Sequence, residues 1–265
     1  DENGISNIPH QQIFGSALCN RYITTDFSDA QLELITPPIE NFEDVHRFLE
    51  NLHSYVNDGI LDEYLWPFSM PFAYESDNEI PIAYYGKSNQ AEFKHSYRRG
   101  LANRYGRIMQ TISGVHVNYS FDINLIEALS RYTAENKNKK FQSIIYFRML
   151  RNIHRFSWFI LYLFGSSPIV SKNFINKKYD FVELDDNHFY LPYATSLRMS
   201  DLGYQNADQS TIRISLDDID KYSQDLRMAT EKRSEKFTKI KNKKNDKFQQ
   251  LNNSYLQIED EYYSP

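Results

Sequence analysis

Residues 23–27 (ITTDF), residues 32–36 (LELIT) and residues 114–120 (GVHVNYS) alternate polar with apolar side chains. In an extended strand, successive side chains point to opposite faces of the sheet. The alternation therefore predicts a pair of strands within residues 21–36 and a further strand at residues 114–120. In that further strand, the side chains expected to face a core are Val115, Val117 and Tyr119, and those expected on the other face are His116, Asn118 and Ser120.

This alternation supports two interpretations. Polar side chains line the solvated face of any half-buried antiparallel sheet, so the pattern alone is compatible with a purely structural role. On the functional interpretation, the carboxylate of Glu33 on one strand and the imidazole of His116 on another form the floor of a metal-dependent active site. The other motifs of the chain favour the functional interpretation.

The composition limits the class of protein. A chain of 265 residues, of which 41% are hydrophobic, is long enough for one large or two small domains with a sizeable core. Its formal net charge of −5 argues against a general nucleic-acid binder, because such proteins usually carry a basic surplus. The single cysteine, Cys19, excludes an intrachain disulfide and a cysteine-based zinc site, and it agrees with a cytoplasmic location.

Hydrophobic spacing predicts several helices along the chain. The longest apolar run, residues 156–164, is too short to cross a bilayer, so we expect no membrane association and a buried helix end. The predicted helices are residues 41–57, 95–110, 140–164 and 216–228, with another from about Leu125.

Three further segments carry predictions of their own. Residues 190–204 are dense in polar and aromatic side chains without periodicity, which is typical of a functional loop. The lysine-rich residues 231–250 are interpreted as a solvated surface, with nucleic-acid binding as the less favoured alternative. Residues 256–263 resemble a strand.

Side chains that bind phosphate through charge are present, whereas glycine-rich phosphate loops are absent from the sequence. A nucleotide would therefore be held through metal ions and arginines. Magnesium prefers oxygen ligands, for which Asp26 and Glu33 are suitable and His116 is an additional candidate. Arg98 and Arg198 are candidates to clamp a phosphoryl group or a substrate carboxylate. The sequence contains no nucleophile elbow of the G-x-S-x-G type, which makes a serine hydrolase a poor alternative.

Read in order, the motifs resemble the proteobacterial type of glutamate–cysteine ligase, also called γ-glutamylcysteine synthetase. The resemblance extends over nearly the whole chain, and the order of its blocks makes it far more specific than any single motif. The matching blocks are residues 23–27, 32–37, 65–71, 103–106, 109–118, 162–165, 190–204 and 256–259.

The resemblance implies a fold and a reaction. The fold is α+β and glutamine-synthetase-like, with an antiparallel sheet curled around the active site, helices packed outside, and residues 1–265 forming one partial catalytic domain. In the reaction, ATP phosphorylates the γ-carboxylate of L-glutamate, and the amine of L-cysteine attacks the acyl phosphate. The products are γ-glutamylcysteine, ADP and phosphate, in the first step of glutathione synthesis, with Mg²⁺ as cofactor.

The resemblance also implies roles for particular residues. Arg98 and Arg198 match positions that contact the reacting acyl phosphate or a substrate carboxylate, which makes them the catalytic candidates. The implied metal ligands are Asp26, Glu33 and His116. The implied cysteine pocket consists of Phe27, Tyr97, Leu101, Gln110, Tyr204 and Tyr263.

Family members are longer at both ends and carry further acidic strands there, so we expect this chain to be a fragment. Three hypotheses stay open at this point. The chain is part of an active ligase, or a non-catalytic remnant that at most binds an amino acid or nucleotide, or part of a ligase that joins glutamate to a different amine. The oligomeric state cannot be read from the sequence.

Overall fold

The computed structural model describes residues 4–72, 74, 76–133, 139–175, 178–203 and 211–262. In this part of the chain, helices are accompanied by small antiparallel sheets, which confirms the α+β class at this level. The helices are α1 (Gln11–Phe14), α2 (Phe42–Gly59), α3 (Asn89–Tyr105), α4 (Arg107–Gln110), α5 (Ile123–Thr133), α6 (Lys139–Phe164), α7 (Ile219–Glu231) and α8 (Glu235–Thr238). The strands are β1 (Ile23–Thr25), β2 (Leu32–Leu34), β3 (Ile169–Ser171), β4 (Val182–Glu183), β5 (His188–Tyr190), β6 (Lys243–Lys244) and β7 (Lys247–Phe248).

Strands β1 and β2 form the predicted antiparallel pair, in which Ile23 lies opposite Leu34 and Thr24 opposite Glu33. Ile23 and Thr25 are buried, whereas Glu33 is exposed between two half-buried leucines. The alternation therefore places Glu33 on the solvated face, as expected. The buried face is covered by apolar side chains of α1 and α2, with which Ile23 forms one core cluster.

Helix α3 carries three of the candidate site residues, Tyr97, Arg98 and Leu101. The hydroxyl of Ser88 accepts a hydrogen bond from the amide of Ala91 and caps the helix at its beginning. The predicted helix over residues 95–110 begins earlier than expected and is broken at Gly106, whose φ of 85° does not suit other residues. Helix α4 begins directly after this break, where the carboxylate of Asp77 accepts hydrogen bonds from the amides of Arg107 and Ile108.

The strand predicted at residues 114–120 is not formed, and this prediction was wrong. The segment has no regular secondary structure, and Val115 and Val117 are 86% and 84% exposed, with Tyr119 exposed as well. Among the described residues, no backbone hydrogen bond joins this segment to a neighbour. A strand is stable only when a partner satisfies its amides and carbonyls, and alternation alone does not supply that partner.

The end of α6 was also predicted incorrectly, because it is not buried. Trp158 and Phe164 are 64% and 75% exposed, and most of the apolar side chains between them are exposed too. In the described part of the chain, no other element covers this side of the helix. Within the same residues, no helix is long and apolar enough to cross a membrane.

Strands β3, β5 and β4 form the second sheet, in that order. It supports a core cluster that includes Met70, Ile112 and Leu197. Leu197 belongs to a short 3-10 turn, Leu197–Met199, within the predicted functional loop, and its burial fixes the position of Arg198. The sheet therefore anchors one cationic candidate residue.

The C-terminal part contains α7, α8 and an exposed hairpin of β6 and β7. The interpretation of residues 231–250 as largely solvated is confirmed by the exposure of most of their side chains. The strand predicted at residues 256–263 is not formed in its described part, which ends in a 3-10 turn, Glu259–Glu261. This segment instead satisfies its polar groups by packing on α3, through the buried side chain of Gln257.

Candidate active site

Asp26 follows β1 directly, and its backbone is held by two side chains from other segments. The Nε atom of Arg98 donates to the carbonyl of Asp26 at 2.5 Å, and the buried hydroxyl of Tyr85 lies 3.2 Å from the same oxygen. Thr25 donates from its hydroxyl to the Tyr85 oxygen at 2.7 Å. These bonds fix the main chain while the residue Asp26 itself stays exposed.

Asp26 lies within electrostatic range of Glu33, Arg98, His116 and Arg198, and Glu33 lies within range of Arg98 and His116 as well. We call these five residues the charged cluster. Surrounding protein atoms raise the pKa of Asp26, although its residue surface remains accessible to water. The positive groups of the cluster oppose that rise. Partial desolvation also raises the pKa of Glu33, and the neighbouring charge of Asp26 raises it further.

The chemistry of these donors suits a hard divalent cation. Burial and the charge of Asp26 both make ionisation of Glu33 more costly, and a positive ion between the two carboxylates would lower that cost. Within the described residues, however, no three histidine, cysteine or acidic side chains are grouped as a ready coordination site. The cluster therefore brings the candidate ligands into one region without forming a complete coordination shell.

Arg198 reaches the cluster because two glycines make room for it. A Cβ atom on Gly114 would lie 1.4 Å from Nη1 of Arg198, and one on Gly203 would lie 1.7 Å from the Arg198 carbonyl oxygen. Any side chain at Gly114 would therefore displace the guanidinium. The sequence prediction missed the role of both glycines, although each lies in a block that carries the family resemblance.

The apolar candidates are grouped beside the charged cluster. Phe27 and Leu101 are buried in one core cluster, and Tyr97 packs against it while half-buried. Phe27 is only 2% exposed, so in this structure it is part of the core more than of an open pocket wall. Tyr204 and Tyr263, the other predicted aromatic members of the pocket, lie outside the described residues.

Gln110 is buried at the end of α4 and is linked to the turn after β1. Its carbonyl accepts a hydrogen bond from Nε2 of Gln31 at 3.0 Å, and the Gln31 oxygen in turn accepts from the amide of Ser28. The side-chain Nε2 atom of Gln110 has no hydrogen-bond partner among the described residues. A buried donor without an acceptor is costly, which favours a ligand atom as its partner.

Two residues of this region were missed by the sequence prediction. The ring of Tyr85 lies below two cations of α3, with Nζ of Lys94 at 5.3 Å and Cζ of Arg98 at 4.7 Å from its centroid. The spacing of Lys94 and Arg98, one turn apart on a helix, was the available signal. The position of Tyr85 depends on a distant loop, which no spacing reveals.

Comparisons with known proteins place the chain in a family. The family model described as glutamate-cysteine ligase matches residues 1–265. The chain is 45% identical over 264 residues to the glutamate–cysteine ligase of Aliivibrio fischeri strain MJ11, covering 98% of this chain and 50% of that protein. It is 42% identical to the ligase of Yersinia pseudotuberculosis, covering 98% of this chain and 51% of that protein.

Solved structures give the same result. A glutamate–cysteine ligase of Francisella tularensis in complex with AMP superimposes with a TM-score of 0.90 at 39% identity, covering 99% of this chain and 52% of that one. A bifunctional glutathione synthetase from Pasteurella multocida superimposes with a TM-score of 0.71 at 29% identity, covering 99% of this chain and 30% of that one.

The fold thus matches solved structures of a glutamate–cysteine ligase and of a bifunctional glutathione synthetase. The chain belongs to the glutamate–cysteine ligase family, as the resemblance predicted. It spans about half the length of the curated relatives that it matches.

Proposed function

We propose that this chain contributes to an ATP-dependent ligase that joins the γ-carboxylate of L-glutamate to the amine of L-cysteine. The reaction passes through γ-glutamyl phosphate and gives γ-glutamylcysteine, ADP and phosphate, the first step of glutathione biosynthesis. Membership of the family and the names of its relatives support this proposal. The observation that carries it is the charged cluster, which gathers two acids, two arginines and a histidine from separate segments.

The cluster suits phosphoryl transfer, because that reaction depends on positioning and charge neutralisation more than on covalent help. Arg98 and Arg198 would contact the anionic oxygens of the acyl phosphate or of a substrate carboxylate. The AMP complex of the Francisella relative supports a nucleotide as the phosphoryl source.

Magnesium is the metal we propose for this site. Asp26 and Glu33 would hold it, with His116 as a further ligand, because Mg²⁺ prefers carboxylate oxygens and the two acids lie within electrostatic range of each other. When bound, Mg²⁺ would neutralise phosphoryl oxygens. Arg198 would stay in place through the space left by Gly114.

The apolar group beside the cluster is our proposal for part of the cysteine pocket. Tyr97 is half-buried and offers a polarisable surface for a thiol side chain, and the buried Phe27 and Leu101 pack in the same cluster behind it. Gln110 adds a buried amide donor that a substrate oxygen would satisfy. Tyr204 and Tyr263 are proposed members through the family resemblance.

The proposed complete fold is glutamine-synthetase-like, with residues 1–265 as one partial catalytic domain. The relatives are about twice as long as this chain, which supports further elements in the complete fold. A cytoplasmic location stays a prediction.

The test is ADP release from MgATP, with the chain incubated with L-glutamate and L-cysteine. We expect release that requires both amino acids, and a loss of about 100-fold or more in Arg198→Met, as for removal of a positioned charge. Arg148→Met, on the exposed side of α6, is the matched control and should keep full activity.

Three other outcomes would contradict the proposal in different ways. Binding of MgATP and cysteine in calorimetry without turnover would identify a non-catalytic binding protein. Turnover with another amine in preference to cysteine would identify a related ligase. Equal activity of Arg198→Met and Arg148→Met would remove the charged cluster from the mechanism.

A further inference from the structure

Lys94 is a cation beside the charged cluster whose hydrogen-bonding capacity is not used. It lies on α3 one turn before Arg98 and is half-buried. Among the described residues, its ammonium nitrogen has no hydrogen-bond acceptor and no carboxylate within ion-pair distance. An ammonium carries three donors, and holding it partly out of water without acceptors is unfavourable.

Tyr85 explains why Lys94 stays in this place. Its ring is buried, and the two cations lie 5.3 Å and 4.7 Å from its centroid, where the negative face of the ring attracts them. Its hydroxyl is fixed by Thr25 and by the carbonyl of Asp26. The ring thus couples the position of both cations to the backbone beside Asp26.

Two cations one turn apart repel each other, and the surrounding charges do not fully compensate for this. Arg98 uses its donors mainly on backbone carbonyls, namely those of Thr25, Asp26 and Lys94 itself. Glu33 lies within electrostatic range of Lys94, yet neither Glu33 nor Asp26 forms an ion pair with Lys94 among the described residues. The free donors of Lys94 are therefore available to an incoming anion.

We propose that Lys94 and Arg98 form a two-cation receptor for an anionic oxygen group of a substrate, and that Tyr85 is the positioning residue of this receptor. This inference rests on the proposed function of the same site and adds two residues to it. The group recognised is a phosphoryl or a carboxylate, since both present several anionic oxygens to such a pair.

The experiment measures binding to the chain by calorimetry, with inorganic triphosphate as the phosphoryl probe and glutarate as the carboxylate probe. We expect Lys94→Met to weaken one of the two by about tenfold or more, as for the loss of a charge-assisted hydrogen bond. The probe whose binding is weakened shows whether the receptor recognises a phosphoryl or a carboxylate group. Lys94→Arg should restore binding to within about threefold, because a cation returns to the same place.

Matched variants separate positioning from folding. Lys87→Met, at an exposed site two residues after Tyr85, should bind both probes as the unchanged chain does. Tyr85→Phe keeps the ring and should keep binding, whereas Tyr85→Leu should lose it to the extent that Lys94→Met does. The double variant of Tyr85→Leu and Lys94→Met should bind no more weakly than either single variant, because the effects of substitutions at coupled residues are not additive. Binding should also depend less on salt in Lys94→Met than in the unchanged chain.

Additive losses of binding in the double variant would overturn the receptor proposal. Equal binding of the probes by Lys94→Met and Lys87→Met would overturn it too. An unchanged chain that binds neither probe would overturn it as well. Its failure differs from failure of the ligase proposal: probe binding that depends on Lys94 without ADP release rejects the ligase alone. If Lys94→Met leaves both the KM and the kcat of ADP release unchanged, the receptor proposal alone is rejected.

Discussion

The positively charged side chains on the two sides of α3 differ in their burial and in how fully their charge is compensated. On one side, the Arg104 side chain is fully buried, and its ion-pair partner Glu261 is 1% exposed. On the other side, Lys94 and Arg98 are half-buried beside acids that they do not fully compensate. We call the first arrangement the C-terminal clamp, which consists of Arg104, Gln250, Asn252, Ser254 and Glu261.

The clamp satisfies each nitrogen of its arginine. Arg104 donates from Nε to Gln250 at 3.1 Å, from Nη1 to the carbonyl of Ser254 at 3.2 Å, and from Nη2 to the carbonyl of Asn252 at 2.6 Å. Its guanidinium also lies 4.3 Å from the ring centroid of Phe237. A buried charge with all of its donors used specifies architecture, whereas a cation with unused donors is available to bind a ligand.

The largest effect is expected from breaking the clamp. Arg104→Met should lower the free energy of unfolding by about 3–5 kcal/mol, because it leaves the carboxylate of Glu261 buried without its cation. Urea unfolding checks this, with Arg227→Met on the exposed side of α7 as the control. A loss no larger than that of the control would mean that the clamp does not hold the C-terminal segment.

The next effect is expected on the opposite side of the comparison. Gly114→Ala should weaken triphosphate binding by about tenfold, since its methyl group displaces a charge-assisted contact of Arg198. The fold should tolerate the change, because the displaced atoms are the flexible end of a side chain. Calorimetry and urea unfolding measure the two quantities, and Ser120→Ala in the same exposed segment is the control. If Gly114→Ala lowered triphosphate binding and the free energy of unfolding together, it would contradict the prediction that only binding is affected.

A smaller effect concerns the acids of the charged cluster. Asp26→Asn should lower the pKa of Glu33, because the like charge of Asp26 contributes to raising it. NMR titration of the Glu33 side-chain carboxyl carbon measures the shift, and Asp44→Asn at the start of α2 should leave it unchanged. A Glu33 pKa that stays the same or rises in Asp26→Asn would place the two carboxylates too far apart to share a cation.

The smallest effect is expected at the rim of the clamp. Asn103 is exposed and donates to the carbonyl of Gln249 at 2.9 Å. Asn103→Ala should cost about 0.5–1 kcal/mol of unfolding free energy, which is typical of a hydrogen bond that water can replace. If Asn103→Ala lowered the free energy of unfolding as much as Arg104→Met does, burial would not explain the difference between these two side chains.

Local patterns in the sequence predicted the parts of the fold that depend on near neighbours. The hairpin of β1 and β2 follows from alternation over a short loop, and α2 follows from its spacing and its Asn41 cap. The strand predicted at residues 114–120 is not formed, because no described segment forms backbone hydrogen bonds with it. The buried end of α6 failed for the same reason, since an apolar run indicates affinity for a cover but not where that cover comes from.

The candidate site divides in the same way. Asp26, Glu33, Arg98, His116 and Arg198 were predicted from their chemistry and the family resemblance, and the structure brings them together in the charged cluster. The supporting residues were not identified, because their roles depend on tertiary contacts. Gly114 matters only through the arginine that lies against it, and Tyr85 only through the cations above its ring.

The hydrogen bond from Arg104 to Ser254 has a consequence for synthesis, because 150 residues separate the two. At ribosomal speeds, roughly ten seconds pass between the emergence of the arginine and that of its acceptor. Throughout that interval α3 lacks the segment that later encloses its guanidinium, so the helix cannot reach its final environment. Closure over so long a stretch of chain is also entropically slow, which makes docking of residues 250–261 onto α3 slow to complete.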